Sequence, residues 1–380
     1  MAVGFAPSHL AKKLLRILKI SSDATSKESN NLKRIENIQA LRGIAALLVV
    51  IYHLIPIEQK YGGAETIIPT IAQFGLLGTD LFFVISGFVL VVIAKGKHKK
   101  FTDSRKFLFK RISRIYPTYW FYTLLVLIVF LIQPTWVNNS QGNQFDLLSS
   151  IFLLPSHMLP LVAVAWALVH FIYFYIVFSM IIYLVSEKNL GWATFIWAIG
   201  IILLNSLIKT KNPTLEVISH PVTLEFISGC LLASFYFKTE IKIKNSRLLL
   251  ILITTLVIAV YAYLSYFNAT GFIRPQGWWR PLLMGVPATI IVFTLIHAER
   301  NGYSLKNSLL WKIGNVSYSI YLSHVLTLSA LGKIWHIFVT ENTLDNFIML
   351  PILIISVVIV GFLSYRYVEK PLIKLSRKII

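Results

Sequence analysis

The feature that most constrains this chain is a series of apolar stretches, each about twenty residues long and nearly free of charge, that recur from residue 38 to residue 368. A helix of about twenty residues crosses the roughly 30 Å hydrocarbon core of a bilayer. Inside that core each backbone polar group must be satisfied within the protein, which favours helices. The sequence therefore predicts an all-α fold, a polytopic transmembrane helical bundle of about ten spans. We place the spans near residues 38–55, 71–94, 115–133, 161–186, 190–208, 219–237, 247–267, 281–297, 314–336 and 345–368.

The 36 lysines and arginines are unevenly shared between the two sets of connections that alternate along ten spans. The set that includes both termini and residues 95–114 holds 30 of them. The opposite set holds 6, which are Lys60, Lys209, Lys211, Arg274, Arg280 and Lys333. Basic residues accumulate on the cytoplasmic side of a membrane. We therefore predict a multi-pass membrane protein with both termini cytoplasmic and with the opposite set of connections external. A net charge of +20 would suggest a nucleic-acid partner in a soluble protein, but charges at helix ends indicate membrane lipids and no nucleic acid.

Composition divides the chain into three parts. Residues 1–34 form a basic cytoplasmic segment, in which residues 5–20 have the spacing of an amphipathic helix on the membrane surface, with a disordered tail as the alternative. Residues 35–372 form the transmembrane domain, and residues 373–380 form a basic cytoplasmic tail. Cys230 is the only cysteine, so no intramolecular disulfide is possible, and we predict no metal site.

Ionisable residues inside the spans are candidates for function, because a charge in a bilayer is costly unless it is paired or faces a wet cavity. Arg42 and His53 in the first span are 11 residues apart, which returns to nearly the same helix face about 16 Å further along. Both are predicted to line one cavity. The alternatives are a membrane-surface anchor for Arg42 and a packing histidine for His53. Asp80 in the second span needs a partner, and Arg42 or His53 is our hypothesis for it.

Two arginines precede the third apolar span. Arg111 and Arg114 are three residues apart and therefore project from one helix face at the cytoplasmic membrane surface. Guanidinium groups bind phosphate oxygens bidentately, so this pair suits a phosphate-rich ligand. Contact with lipid headgroups is the alternative.

Further polar and aromatic residues fall inside later spans. Glu225 and His324 are candidates to line the polar interior, and Tyr321 is adjacent to His324 on one helix face, although tyrosine-rich faces are more often packing surfaces. The possible cavity-lining residues are His170, Phe171, Glu225, Tyr321 and His324.

Five segments, in this order and spacing, resemble acyltransferase family 3, bacterial membrane proteins that move acyl groups onto sugars of surface polysaccharides. The segments are Ile38–Ala46 with His53, Gly78–Phe88, Arg111–Pro117, Ser317–His324 and Tyr367–Pro371. The resemblance runs from about residue 35 to residue 372.

The resemblance implies an O-acyltransferase that takes an acyl group, acetyl in our prediction, from acyl-CoA and gives it to a hydroxyl of a polysaccharide or a lipid-linked sugar precursor. It implies that Arg42 and His53 are the essential first-span pair and that Arg111 and Arg114 meet the acyl donor. We add Asp80 to the predicted catalytic residues, with His53 as the base that accepts the hydroxyl proton.

One position departs from the family pattern. The family commonly has Glu five residues after the tryptophan of the fourth span, and this chain has Phe171 there, beside His170. The departure indicates an impaired variant or compensation by another acid such as Glu225. The soluble extracytoplasmic hydrolase-like domain of some relatives is not evident in this sequence.

Transport is the competing function class. Charges inside the membrane also bind anions or relay protons in a secondary transporter or proton-coupled carrier. Transporters often contain internal repeats, and the sequence has no evident repeat.

Overall fold

The computed structural model describes residues 35–379 except residues 208–209 and 341. The regular structure of these residues is helical throughout, with no strand. The predicted amphipathic helix at residues 5–20 lies outside the described residues.

Ten long helices account for the predicted spans, and we number them in chain order. They are α1 (Glu36–Tyr61), α2 (Leu77–Ala94), α3 (Phe101–Ile132), α4 (Trp166–Leu184), α5 (Leu190–Leu207), α6 (Thr223–Lys238), α7 (Asn245–Thr270), α8 (Val286–Arg300), α9 (Ser317–His336) and α10 (Thr343–Ser364).

Nine of the ten, taken together with the short helical segments that adjoin some of them and counted over the described residues, are long and apolar enough to cross a membrane. The tenth, α9, has 20 residues but a more polar composition, because serines, threonines, Tyr321 and His324 occupy its buried face. It packs between α1 and α10. The all-α polytopic bundle is confirmed, while the orientation of the termini stays a prediction.

Some helices extend well beyond their apolar stretch. α3 begins at Phe101, 14 residues before its predicted span, and includes the basic stretch that carries Arg111 and Arg114. One face of this extension is buried: Phe107 is 3% exposed, and the Ser104 hydroxyl donates a hydrogen bond to the Ser179 carbonyl of α4. Packing against α4 therefore stabilises the charged first part of α3, which hydropathy alone places outside the membrane span.

α2 and α6 form the most buried pair of helices. A Cβ atom on Gly87 of α2 would collide with the Phe226 carbonyl of α6, and one on Gly229 of α6 would collide with the Val84 carbonyl of α2. The two glycines therefore let the backbones touch. α5 and α7 lie at the periphery, with few of their side chains buried.

Two helices contain a π-helical turn. Pro281–Gly285 leads into α8, and Tyr365–Glu369 connects α10 to a short helix, Lys370–Ser376. Such turns often occur at functional sites because they redirect side chains. The second turn ends at Glu369, which is 2% exposed.

Candidate active site

A cavity of about 130 Å³ lies among α1, α2, α3, α4 and α9. Its walls combine guanidinium groups, hydroxyls and aromatic rings. The lining residues are Arg42, Thr79, Phe82, Ile85, Ser86, Val89, Leu90, Arg111, Arg114, Ile115, Ala167, Leu168, Phe171, Tyr175, Ser317, Tyr318 and Tyr321.

Three arginines from two helices line this cavity. Arg42 comes from α1, and Arg111 and Arg114 come from α3. Arg114 is exposed, whereas the Nε atom of Arg111 is buried and has no hydrogen-bond partner in the described structure. The residues predicted to meet the donor therefore lie together with Arg42, in a cationic wall that suits phosphate oxygens.

A buried carboxylate lies near these arginines. Glu369 accepts a hydrogen bond of 2.6 Å from the Ser319 hydroxyl of α9, and it lies within electrostatic range of Arg42 and Arg114. One carboxylate against three guanidinium groups leaves the wall net positive. The sequence interpretation matched the segment that contains Glu369 but did not predict a role for this residue; its place in a basic, membrane-edge segment was the available signal.

Tyr321 connects the cavity wall to a pair of histidines. Its hydroxyl donates a hydrogen bond to the Val164 carbonyl, and its ring centroid is 5.9 Å from that of His324. The His324 ring is 4.8 Å from the His53 ring, with His324 Nε2 at 3.4 Å from His53 Nδ1. His53 is not among the residues that line the cavity. The ring of His324 lies between it and Tyr321, which lines the cavity wall.

The hydrogen bonds of the two histidines indicate their tautomers. His53 Nδ1 is 2.8 Å from the Val49 carbonyl, and His324 Nδ1 is 2.7 Å from the Tyr321 carbonyl. A ring nitrogen next to a carbonyl must donate, so we assign the proton of each neutral ring to Nδ1. His53 Nε2 then carries a lone pair, and no group of the described residues donates to it.

The partner of Asp80 differs from our hypothesis. Asp80 is fully buried and accepts from Arg280, with 2.9 Å between Nε and Oδ1 and 3.5 Å between Nη2 and Oδ2. The proposed pairing with Arg42 or His53 is therefore wrong. Arg280 is 200 residues away in sequence and was assigned to an external connection, but its long side chain reaches into the bundle from the start of the turn before α8.

Glu225 and His170 lie near this ion pair and do not line the cavity. Glu225 is 1% exposed and lies within electrostatic range of Asp80 and Arg280. The His170 ring lies 4.9 Å from the ring of His220. The two residues thus belong to a second polar cluster.

Phe171 lines the cavity at the position where the resembling family has Glu. Its ring lies 4.9 Å from Phe83 and 6.2 Å from Tyr175. His170, one residue earlier, is turned about 100° away on α4 and contacts the other cluster. His170 therefore does not replace the missing acid within the cavity, and neither does Glu225.

Comparisons with known proteins identify the family of this chain. A family model described as an acyltransferase domain matches residues 35–366. The exopolysaccharide production protein ExoZ of Rhizobium meliloti (strain 1021) is 24% identical over 314 residues, which are 80% of this chain and 91% of ExoZ.

Two further relatives are longer proteins. The peptidoglycan O-acetyltransferase OatA of Listeria monocytogenes is 24% identical over 384 residues, which cover 90% of this chain and 56% of OatA. A putative O-acetyltransferase of Staphylococcus aureus (strain COL) is 22% identical over 379 residues, 90% of this chain and 57% of the relative. This chain thus spans just over half the length of these two. No solved structure matches it. Because the family model covers most of the sequence, the chain belongs to acyltransferase family 3.

Proposed function

We propose that this protein is an O-acyltransferase of the bacterial cytoplasmic membrane that moves an acetyl group from acetyl-CoA to a hydroxyl of a polysaccharide or of its lipid-linked precursor. Both termini face the cytoplasm in this proposal. Family membership supports acyl transfer. The names of the relatives, an exopolysaccharide production protein and O-acetyltransferases, support the choice of acyl group and acceptor.

The observation that carries the proposal is a cavity with three arginines in its wall and an aromatic connection from Tyr321 to a histidine with a free lone pair. A volume of about 130 Å³ is smaller than the ~300–1,000 Å³ of sites that enclose drug-sized ligands. The cavity therefore suits the acyl thioester and the part of CoA next to it. The phosphates of CoA would bind at the edge of the cavity, on Arg111 and the exposed Arg114.

In the proposed reaction, His53 acts as the general base. The acceptor hydroxyl gives its proton to His53 Nε2 while its oxygen attacks the thioester carbonyl carbon. The resulting tetrahedral oxyanion collapses, and the carbon–sulfur bond breaks. CoA leaves as a thiolate, which takes the proton from His53 Nε2. No other reactant is needed.

His324 supports the charged form of His53 in this mechanism. When His53 becomes an imidazolium, its Nδ1–H is shared between the Val49 carbonyl and the lone pair of His324 Nε2. Both acceptors stabilise the positive charge. Asp80 is fixed on Arg280 and enters the proposal as a positioning residue that holds α2 beside α8.

The thioester must pass Tyr321 and Phe82 to reach His53. Both side chains line the cavity, and their ring centroids are 6.1 Å apart. Rotation of these rings about their side-chain bonds is therefore part of the proposal, and for Tyr321 it breaks the hydrogen bond to the Val164 carbonyl.

The test uses the full chain in proteoliposomes with acetyl-labelled acetyl-CoA and the glycan of the producing bacterium. The proposal expects label in an alkali-labile ester on the glycan, detected by mass spectrometry. A secondary transporter would instead accumulate a small anion inside the vesicles and leave the glycan unlabelled, and that result would refute the proposal. Protein-free vesicles serve as the control.

A further inference from the structure

The connection between α7 and α8 folds back along α7. After α7 the chain turns at Gly271, whose φ of 71° lies in the left-handed region. The Tyr263 hydroxyl donates to the Ile273 carbonyl at 2.9 Å, and the Gln276 amide donates to the Tyr266 hydroxyl at 3.1 Å. Since Tyr263 lies about 10 Å before the end of α7, these bonds hold the connection beside the last two helical turns.

The fold-back brings Arg274 to the middle of α1. Arg274 Nε donates a hydrogen bond of 3.2 Å to the Tyr52 hydroxyl. Tyr52 lies about 13 Å before the end of α1 and immediately before His53, with which it makes an edge-on ring contact at 5.0 Å. The charge of Arg274 is within electrostatic range of His53. A guanidinium from a predicted external connection thus lies beside the proposed base.

Arg274 has unused binding capacity. It is exposed, no carboxylate of the described residues pairs with it, and its only side-chain hydrogen bond within that part of the chain uses Nε. Its guanidinium carbon is 6.0 Å from the centre of the Tyr52 ring. Its terminal amino groups therefore remain available as donors. Two of the other predicted external cations have partners: Arg280 pairs with Asp80, and Lys333 lies over the ring of Trp136.

We propose that Arg274, held in place by Tyr52, binds an oxyanion group of the acceptor, a carboxylate or a phosphate, and so directs the acceptor hydroxyl toward His53. This inference rests on the proposed function and adds the chemical class of the acceptor. Guanidinium groups favour planar or tetrahedral oxyanions through two parallel hydrogen bonds. An acidic sugar supplies a carboxylate, and a lipid-linked sugar supplies a phosphate.

The experiment compares three acceptors with the full-length wild-type protein and with Arg274→Ala, in detergent so that both faces are accessible. The acceptors are a uronate-containing oligosaccharide, the same oligosaccharide with its carboxyl groups reduced to alcohols, and a neutral sugar on a lipid diphosphate. Equilibrium binding and acetyl transfer are measured for each. Lys60→Ala removes an exposed cation at the end of α1 and is the matched control.

Arg274→Ala removes the charge that would pair with the anionic acceptor. It should weaken binding of that acceptor, and raise its KM, about tenfold to a hundredfold. Arg274→Ala should change little the binding of the reduced oligosaccharide and the KM for acetyl-CoA. Lys60→Ala should change little the binding of any of the three acceptors. An effect confined to the uronate identifies a carboxylate, and one confined to the lipid diphosphate identifies a phosphate. Arg274→Lys should recover part of the loss.

Equal effects on all three acceptors would show a structural role for Arg274 and overturn the inference. If Arg274→Ala affects no acceptor, Arg274 contacts only membrane lipid, and this result would also overturn the inference. If the wild type binds the anionic acceptor selectively through Arg274 but transfers no acetyl group, the inference stands and the proposed function fails.

Discussion

Replacement of Arg280 by alanine should strongly destabilise the protein. The change removes both hydrogen bonds, at 2.9 and 3.5 Å, from a carboxylate of Asp80 that is fully buried, and Arg280 itself is only 15% exposed. Breaking a buried ion pair by removing one partner costs about 3–5 kcal/mol, because the other charge is left without compensation. Since the pair connects α2 to the start of α8, we expect this full loss in the free energy of unfolding.

The assay is unfolding by SDS in mixed micelles, followed by tryptophan fluorescence. Arg280→Lys keeps the charge but not the planar fork, so its loss should be smaller. The double variant Asp80→Asn with Arg280→Gln removes both charges. It should be more stable than the summed losses of the two single variants, Asp80→Asn and Arg280→Gln, predict. An Arg280→Ala protein as stable as the wild type, or strictly additive single losses, would refute the proposed role of the ion pair.

Three further predictions concern the cavity and the helix packing. Phe171→Glu should raise acetyl transfer about tenfold or more by restoring an acid in the cavity wall, with Phe171→Gln as control; an unchanged rate would remove this position from catalysis. Arg111→Ala should raise the KM for acetyl-CoA about tenfold to a hundredfold in steady-state kinetics, whereas Arg105→Ala, exposed on the same helix, should not; equal effects would argue against a donor site. Gly229→Ala should lower the free energy of SDS unfolding by about 1–3 kcal/mol because its Cβ meets the Val84 carbonyl, whereas Gly200→Ala has open space and should be neutral or stabilising; similar values would contradict the packing.

The helical architecture follows from the sequence because the bilayer imposes one length and one composition on each span. The apolar stretches therefore locate all ten helices, including the more polar α9. Their ends are less accurate, as α3 shows, because a helix continues outside the membrane wherever one face can pack. Hydropathy does not report that packing.

Local spacing predicted that Arg111 and Arg114 project from one helix face, and both line the cavity. Spacing also placed Arg42 and His53 in one cavity, but only Arg42 is among its lining residues. Contacts between distant segments were not predictable from spacing: the partner of Asp80 is 200 residues away, and His53 meets His324 across 271 residues. Which side chains meet depends on how the helices pack, and a single sequence contains no direct record of that arrangement.

The central claim is that His53 is the base for transfer of an acetyl group from acetyl-CoA to a glycan. It is tested most directly by comparing wild-type protein and His53→Ala for labelled acetyl transfer in the same proteoliposomes, with labelled acetyl-CoA binding and helix content measured in parallel. The account predicts that transfer falls about a hundredfold to ten-thousandfold while donor binding and helix content persist. Transfer by His53→Ala at the wild-type rate would contradict it.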